Sequence, residues 1–197
     1  MKNKFKFFCS LRLIVLQMFV AGSLFAQDTT EQINLLTKND PSQYKKPYVI
    51  LISADGFRAD FAEKYDATFL QTVSKGGVRA KYMQPSYPSV TFPNHYTIVT
   101  GLYPAHHGLV DNFYIDVPTG QQYSMANKKM VGEGKWYGGT PLWVLAEQQK
   151  MLSASFFWVA SEADIQGIKP TYHYIYNEKT AIGTRIQAVK NWLMLPE

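Results

Sequence analysis

The sequence predicts an α/β fold with a mainly parallel sheet, and two observations lead to this prediction. Residues 48–53 (YVILIS) form a continuous apolar and β-branched run, which is typical of a strand buried on both faces of a parallel sheet. Segments with helical apolar spacing then alternate with such runs along the chain. This alternation is characteristic of βαβ units, in which a helix connects two parallel strands of one sheet.

The remaining elements follow in order from the same two patterns. Apolar residues at every fourth position predict one or two helices between Phe61 and Val73, which Gly76 and Gly77 would end. The other predicted elements are a strand at 78–83, helices at 93–100 and 141–150, a strand at 152–159 and a helix at 182–195. Since a strand should follow that last helix, we expect the fold to be incomplete at its carboxyl end.

The first 26 residues predict a secretory signal peptide. Basic residues precede an apolar run, Leu13 to Ala26, that is too short to span a membrane, and small residues gather at its end. Cleavage after Ala26 would make the protein secreted or periplasmic; a retained membrane anchor is the alternative. Residues 27–46 are polar and aperiodic, so we interpret them as a spacer ahead of a domain that spans residues 47–197.

Loss of the signal peptide changes what the cysteine content and the charge imply. Cys9 is the one cysteine of the 197-residue chain, so the mature protein would have no disulfide and no thiolate ligand. Its stability must then come from a hydrophobic core or from bound metal. Removal of the signal also lowers the formal net charge from +5 to +1, so the overall charge indicates no nucleic-acid groove. We expect no membrane contact of the mature chain.

Asp55 directly follows the first predicted strand. Ligands of open α/β sheets bind beyond the carboxyl ends of the strands, so a carboxylate here is suited to a metal or phosphate site. The alternative is that Asp55 and Gly56 form an ordinary turn, because this pair of residue types is common in turns. The residue alone does not separate these two possibilities.

Thr91 and Asn112 are two further candidates, and each has an ordinary structural alternative. A threonine hydroxyl attacks when a base or a metal activates it, and the amino end of the helix predicted after Thr91 would attract a phosphoryl group. Thr91 is otherwise a typical helix cap. The amide of Asn112 can donate to a phosphoryl oxygen in a transition state, or Asn112 occupies a turn. His95 is expected to lie inside the short helix as a structural residue.

Several short motifs follow one another in a characteristic order: residues 49–58 (VILISADGFR), 88–96 (PSVTFPNHY), 100–104 (TGLYP), 111–112 (DN) and 156–158 (FFW). Together they resemble the nucleotide pyrophosphatase/phosphodiesterase family of the alkaline phosphatase superfamily. The resemblance extends from about Tyr48 to the last residue. It implies an α/β/α sandwich of the alkaline phosphatase type.

The resemblance also implies a two-zinc hydrolase that acts on phosphodiester or pyrophosphate bonds of small, nucleotide-like substrates. Asp55 would be a zinc ligand, and Thr91 would bind the same zinc and attack phosphorus to form a phospho-threonine intermediate. Asn112 would hold a phosphoryl oxygen. Phe92 and Tyr176 would form the aromatic slot that takes a nucleotide base, with packing in the core as their alternative role.

The chain departs from the family pattern in its metal ligands. Two catalytic zinc ions need about six protein ligands, but the sequence matches the family's ligands at Asp55 and Thr91 alone. The family's other ligands, which include an Asp with a His four residues on and an Asp-His pair, are missing. We therefore expect this chain to be the amino-terminal part of such an enzyme, with little or no turnover of its own. A phosphomonoesterase of the same superfamily and a non-catalytic secreted binding domain are the alternatives.

Overall fold

The computed structural model describes the backbone of Glu31–Ile33 and all of residues 38–195. The chain divides into two units, residues 1–31 and 32–197, and the second contains nearly all of the described residues. The predicted signal peptide and its cleavage site lie outside the described residues, as does part of the predicted spacer. Among the helices that the structure describes, none is long and apolar enough to cross a membrane.

The described elements are short helices and shorter strands. The helices are α1 (Phe61–Lys64), α2 (Thr68–Gly76), α3 (Thr91–Thr100), α4 (Pro104–His107), α5 (Lys128–Val131), α6 (Leu142–Gln148) and α7 (Ile182–Leu193). The strands are β1 (Glu31–Ile33), β2 (Phe113–Asp116), β3 (Gln121–Ser124), β4 (Ala154–Phe156) and β5 (Tyr172–Tyr174). Single turns of 3-10 helix occur at Pro41–Gln43 and Gly134–Trp136.

These strands form two separate sheets. The larger sheet has the order β1-β5-β4, and in it β4 and β5 run parallel with Ser155 opposite His173. The smaller sheet is the antiparallel hairpin of β2 and β3, in which Tyr114 lies opposite Tyr123. A parallel strand pair combined with helices confirms the predicted α/β class.

The predicted helices are present in the structure. The apolar pattern between residues 61 and 73 forms two helices, α1 and α2, and Gly77 follows α2 as its C-cap. Helix α3 begins at Thr91, two residues earlier than predicted, and ends where Gly101 adopts a φ of 68° and donates its N–H to the Thr97 carbonyl at 2.9 Å. A positive φ suits glycine because it has no Cβ.

Two predicted strands are not found in the described part of the chain. Residues 48–53 and 78–83 have no regular secondary structure there, and the side chains of Val49 and Ile52 are 88% and 84% exposed. The prediction of a strand buried on both faces at 48–53 is therefore wrong for this structure. A β-branched run favours extended backbone, but it becomes a strand when a neighbouring strand pairs with it. Among the described residues no strand lies beside either segment.

The hydrophobic core lies against helix α3. Tyr96 is completely buried and donates its hydroxyl hydrogen to the Gly138 carbonyl at 3.0 Å. Tyr123 of the hairpin and Val144 of α6, which are also completely buried, belong to the same core. Because α3 directs one face into this core, its first residue, Thr91, stays half-buried at the edge of the core.

Candidate active site

Thr91 is the first residue of α3, and its hydroxyl does not cap the helix. The N-cap residue is Val90, whose side chain makes no capping hydrogen bond. The Thr91 hydroxyl instead donates a hydrogen bond of 3.0 Å to Oδ2 of Asp55. The helix-cap alternative for Thr91 is therefore wrong, and the two residues predicted to share a metal ion lie side by side.

Asp55 reaches Thr91 from a turn. The N–H of Phe57 donates to the Ala54 carbonyl at 3.3 Å, and Gly56 adopts a φ of 68°. The turn alternative for Asp55 and Gly56 is thus correct in its backbone geometry. It does not exclude a functional role, because the turn leaves the exposed Asp55 carboxylate directed at the Thr91 hydroxyl.

Asn112 is attached to the same end of α3. Its Oδ1 accepts a hydrogen bond of 2.9 Å from the N–H of Phe92. Its own backbone is held on both sides, since its N–H donates to Oδ1 of Asp111 at 2.7 Å and its carbonyl accepts from Met125 at 2.9 Å. Because Oδ1 is engaged, the amide orientation is determined, and within the described residues Nδ2 has no protein acceptor. Nδ2 is the atom that can donate to a ligand.

The amino end of α3 offers fewer backbone donors than a typical helix. The N–H of Phe92 donates to Asn112, and Pro93 has no N–H. The N–H of Asn94 already donates to the Val90 carbonyl at 3.2 Å. Among the described residues, the N–H of Thr91 has no acceptor. An anion at this helix end would therefore meet the Thr91 N–H and the Asn112 side-chain amide rather than a row of backbone amides.

Phe92 and Tyr176, the two rings predicted to form an aromatic slot, do not contact each other in the described structure. The Phe92 ring packs on Tyr123 with centroids 6.5 Å apart, and the ring of Tyr176, half of which is exposed, packs edge-on against Phe157 at 5.2 Å. Phe92 is half-buried against the core. Packing is thus part of the role of Phe92, while Tyr176 keeps an open face.

Glu162 lies beside the backbone of Tyr176, and the sequence patterns did not single it out as a site residue. Burial raises the pKa of its carboxyl, while a hydrogen bond from the backbone N–H of Tyr176 and the charges of Lys128 and Lys169 oppose that rise. Burial is the main cause that raises the pKa of Tyr123, the ring on which Phe92 packs, and the Glu162 charge adds a small part of that rise.

Asp55 and Thr91 are the described residues that fit a metal ion at this site. Their oxygens lie 3.0 Å apart and both are accessible from solvent, so one cation can contact both. Within the described ranges, no group of three or more His, Cys, Asp and Glu side chains is arranged to hold a metal. A catalytic zinc usually has three protein ligands, so these two oxygens would be a partial ligand set.

An open depression of about 640 Å³ lies beside the hairpin, and its lining includes Phe113, Ser124, Lys128 and Lys129. Phe113 directly follows Asn112, but neither Thr91 nor Asp55 lines this depression. The hydrogen-bonded pair of Thr91 and Asp55 thus lies outside this depression, at the exposed end of α3.

Comparison with known proteins shows which family this chain belongs to. The sequence model of the family described as type I phosphodiesterase/nucleotide pyrophosphatase matches residues 49–197. Ectonucleotide pyrophosphatase/phosphodiesterase family member 1 of Mus musculus is 39% identical over 175 residues, which are 87% of this chain and 19% of that protein. Venom phosphodiesterase of Naja atra is 41% identical over 160 residues, which are 80% of this chain and 19% of that protein. The chain thus spans about a fifth of the length of these relatives.

Solved structures give the same result. Murine ectonucleotide pyrophosphatase/phosphodiesterase 5 matches with a TM-score of 0.68 and 28% identity over 72% of this chain and 38% of that one. An inactive threonine-to-alanine variant of that protein, solved in complex with AMP, matches with a TM-score of 0.69. These similarities bear out the predicted alkaline phosphatase-like α/β fold, of which this chain contains a part. On these grounds the chain belongs to the type I phosphodiesterase/nucleotide pyrophosphatase family.

Proposed function

We propose that this chain carries the nucleophile of a zinc-dependent hydrolase that cleaves phosphodiester or pyrophosphate bonds of nucleotide-like substrates through a phospho-threonine intermediate. The observation that carries the proposal is the 3.0 Å hydrogen bond from Thr91, at the exposed start of α3, to Asp55. It is supported by relatives named as phosphodiesterases and nucleotide pyrophosphatases. An inactive threonine-to-alanine variant of a solved relative binds AMP, which agrees with a threonine nucleophile and a nucleotide ligand.

The proposed reaction has two steps at phosphorus. Oγ1 of Thr91 forms a bond to phosphorus while the bond to the leaving oxygen breaks, and the hydroxyl proton passes to solvent. Water then attacks phosphorus, breaks the bond to Oγ1 and restores the Thr91 hydroxyl. Nδ2 of Asn112 donates a hydrogen bond to the phosphoryl oxygen that gains negative charge in each step. Phe92 and Tyr176 offer aromatic faces to a nucleotide base.

We propose that Asp55 and Thr91 hold one of two zinc ions. Zinc bound there would lower the pKa of the Thr91 hydroxyl and stabilise charge on the oxygens around phosphorus. Because the described residues supply a partial ligand set, we propose that the chain by itself binds zinc weakly and completes few turnovers. A test of the nucleophile should therefore detect the first chemical step rather than steady-state turnover.

The experiment is to incubate the chain with zinc and bis(4-nitrophenyl) phosphate, quench in acid and identify modified peptides by mass spectrometry. The expected product is a nitrophenyl phosphate ester on Thr91, formed with release of one nitrophenolate. Thr91→Ala should lose it, whereas Thr72→Ala, which removes an exposed helical threonine whose hydroxyl bonds to the Thr68 carbonyl at 2.8 Å, should retain it. Nitrophenolate release by Thr91→Ala at the wild-type rate, or an equal yield of adduct on another residue in that variant, would contradict the proposal.

The same assay separates the alternatives. A phosphate ester formed from 4-nitrophenyl phosphate, without reaction of the diester, would indicate a phosphomonoesterase. No adduct from either compound would favour a non-catalytic binding domain.

We also propose that residues 1–26 direct export and are removed, leaving Gln27 as the first residue of a secreted or periplasmic protein. Expression of the full chain followed by amino-terminal sequencing of the exported product tests this. Recovery of the product in the membrane fraction with Met1 retained would instead indicate an anchor.

A further inference from the structure

Both ring nitrogens of His95 are engaged, and they connect the two segments that carry Asp55 and Thr91. Nδ1 lies 2.8 Å from the backbone carbonyl of Thr91, and Nε2 lies 2.9 Å from the hydroxyl of Ser53. A carbonyl oxygen can only accept, so in the neutral ring Nδ1 carries the proton and Nε2 accepts from the Ser53 hydroxyl. Ser53 stands two residues before Asp55.

The His95 ring is held firmly in this orientation. His95 as a whole is 9% exposed to solvent. The ring of Trp158 packs edge-to-face against it with centroids 5.7 Å apart, and Nε1 of Trp158 donates to the His95 carbonyl at 3.2 Å. The position of the imidazole is therefore determined by packing as well as by its own hydrogen bonds.

The segment that carries Asp55 has few other attachments. Within the described part of the chain, the hydrogen bonds that join residues 48–57 to other segments are Asp55 to Thr91 and Ser53 to His95. The side chains of residues 48–54 are exposed and no strand pairs with them there. The location of Asp55 relative to α3 thus depends largely on these two contacts.

Only one of the two contacts can survive the proposed reaction. The Thr91 hydroxyl can no longer donate to Asp55 once it has given up its proton, and at the latest when its oxygen bonds to phosphorus. We infer that His95 is a positioning residue, which holds Asp55 beside Thr91 through Ser53 while the Thr91 hydroxyl is consumed. This inference rests on the proposed function of Thr91, and it assigns a role to two residues, Ser53 and His95, that touch neither the substrate nor the metal.

The first test compares rates of adduct formation on Thr91 in single-turnover experiments with bis(4-nitrophenyl) phosphate and zinc. Ser53→Ala should slow the reaction about 10-fold, because small displacements of catalytic groups are costly, with little change in the substrate concentration that gives half the maximal rate. The matched control is Thr97→Val, which removes a similar hydroxyl–histidine hydrogen bond (Thr97 to Nε2 of His107, 3.0 Å) on the same helix. It should alter the rate less than twofold.

Two substitutions at His95 separate its two hydrogen bonds. The amide of His95→Gln can reach the position of Nε2 and thus Ser53, whereas the shorter amide of His95→Asn can reach that of Nδ1 and the Thr91 carbonyl. His95→Gln should therefore retain most of the wild-type rate of adduct formation, while His95→Asn should be as slow as Ser53→Ala. Equal rates for both amides would overturn the inference.

A spectroscopic measurement tests the inference independently of catalysis. In wild-type protein, side-chain ¹⁵N shifts should identify His95 as the Nδ1-protonated tautomer. Ser53→Ala should shift the Nε2 resonance of His95, the Asp55 carboxyl carbon and the Thr91 methyl group, and Thr97→Val should leave all three unchanged. If Thr91→Ala still releases nitrophenolate at the wild-type rate, the proposed function fails. If Ser53→Ala behaves like Thr97→Val in both measurements, the positioning role fails.

Discussion

The N–H of Phe92 donates a 2.9 Å hydrogen bond to Oδ1 of Asn112. This contact joins the start of α3 to the residue immediately before β2. It also leaves Nδ2 of Asn112 as the side-chain atom that can donate a hydrogen bond. The same side chain thus anchors the helix with its oxygen, and under the proposed function its nitrogen donates to the phosphoryl group.

Asn112→Asp should separate these two roles. The aspartate oxygen can still accept from Phe92, so the folded structure should persist, but the donor is lost and a negative charge faces the phosphoryl group. We expect the rate of adduct formation on Thr91 to fall by about 10²- to 10³-fold, as in other sites that lose one such donor. Single-turnover kinetics with circular dichroism as a check on folding would measure this.

Asn127→Asp is the matched control for that substitution. Oδ1 of Asn127 accepts from the backbone N–H groups of Lys129 and Met130 at the start of a different helix, α5. An equal loss of rate in both variants would show that the Asn112 effect comes from added charge in general rather than from its lost donor.

Glu147 should contribute strongly to stability. One carboxylate oxygen accepts from the N–H and hydroxyl of Ser153 at 3.0 and 2.7 Å, and from the N–H and hydroxyl of Thr171 at 3.0 and 2.6 Å. These contacts hold α6 against the residues that precede β4 and β5. Because hydrogen bonds to a charged acceptor are stronger than those to a neutral one, Glu147→Gln should cost about 1–2 kcal/mol of unfolding free energy.

Urea unfolding at neutral pH would measure that cost. Glu178→Gln, at an exposed position outside the helices and strands, is the control and should change stability by less than about 0.5 kcal/mol. Equal urea midpoints for the two variants would mean that the charge of Glu147 contributes no more to the unfolding free energy than the charge of an exposed surface glutamate.

Two buried histidines should make the protein sensitive to mild acid. Burial is the main cause that lowers the pKa of both His107 and His173 below the ordinary value of 6.5. Protonation therefore favours the unfolded chain, so the stabilising contribution is present above about pH 6.5 and is lost as pH falls below that value. We expect a slope of up to about 1.4 kcal/mol per pH unit for each histidine.

Unfolding free energies measured between pH 7.5 and 5 would give the slope. His107→Gln should reduce it, while His106→Gln, at the exposed neighbouring position, should leave it unchanged. A slope that is insensitive to His107→Gln would assign the acid effect to other groups.

Two glycines should respond oppositely to alanine. Gly183 lies in α7, and a Cβ there would meet no atom within 4 Å, so Gly183→Ala should stabilise the protein by about 0.5–1 kcal/mol. A Cβ on Gly134 would lie 2.4 Å from the Asp164 carbonyl oxygen, so Gly134→Ala should cost about 1–3 kcal/mol. Thermal or urea unfolding of both variants would show whether each substitution raises or lowers the unfolding free energy. Destabilisation by Gly183→Ala would contradict the geometry of α7.

The helices were predictable because their signals are local. The periodic apolar residues of α7 and the glycine that ends α3 act within a few residues of where they stand. The strand predicted at residues 48–53 was wrong because a strand depends on a distant partner, and its β-branched residues specify no such partner. Helices α4 and α5 were missed because four residues are too few to show a period.

The sequence by itself determined the fold class, the candidate nucleophile Thr91 and its companions Asp55 and Asn112, because residue types and spaced motifs carry that information. It left open whether Thr91 capped a helix and whether Asp55 and Asn112 merely formed turns. The tertiary structure alone decided that the Thr91 hydroxyl bonds to Asp55, that Asn112 holds Phe92, and that His95 joins Ser53 to Thr91. The pairs Thr91–Asp55, Asn112–Phe92 and Ser53–His95 are separated by 20 to 42 residues. A hydrogen bond over such a separation depends on where the folded core places both partners, which no local pattern encodes.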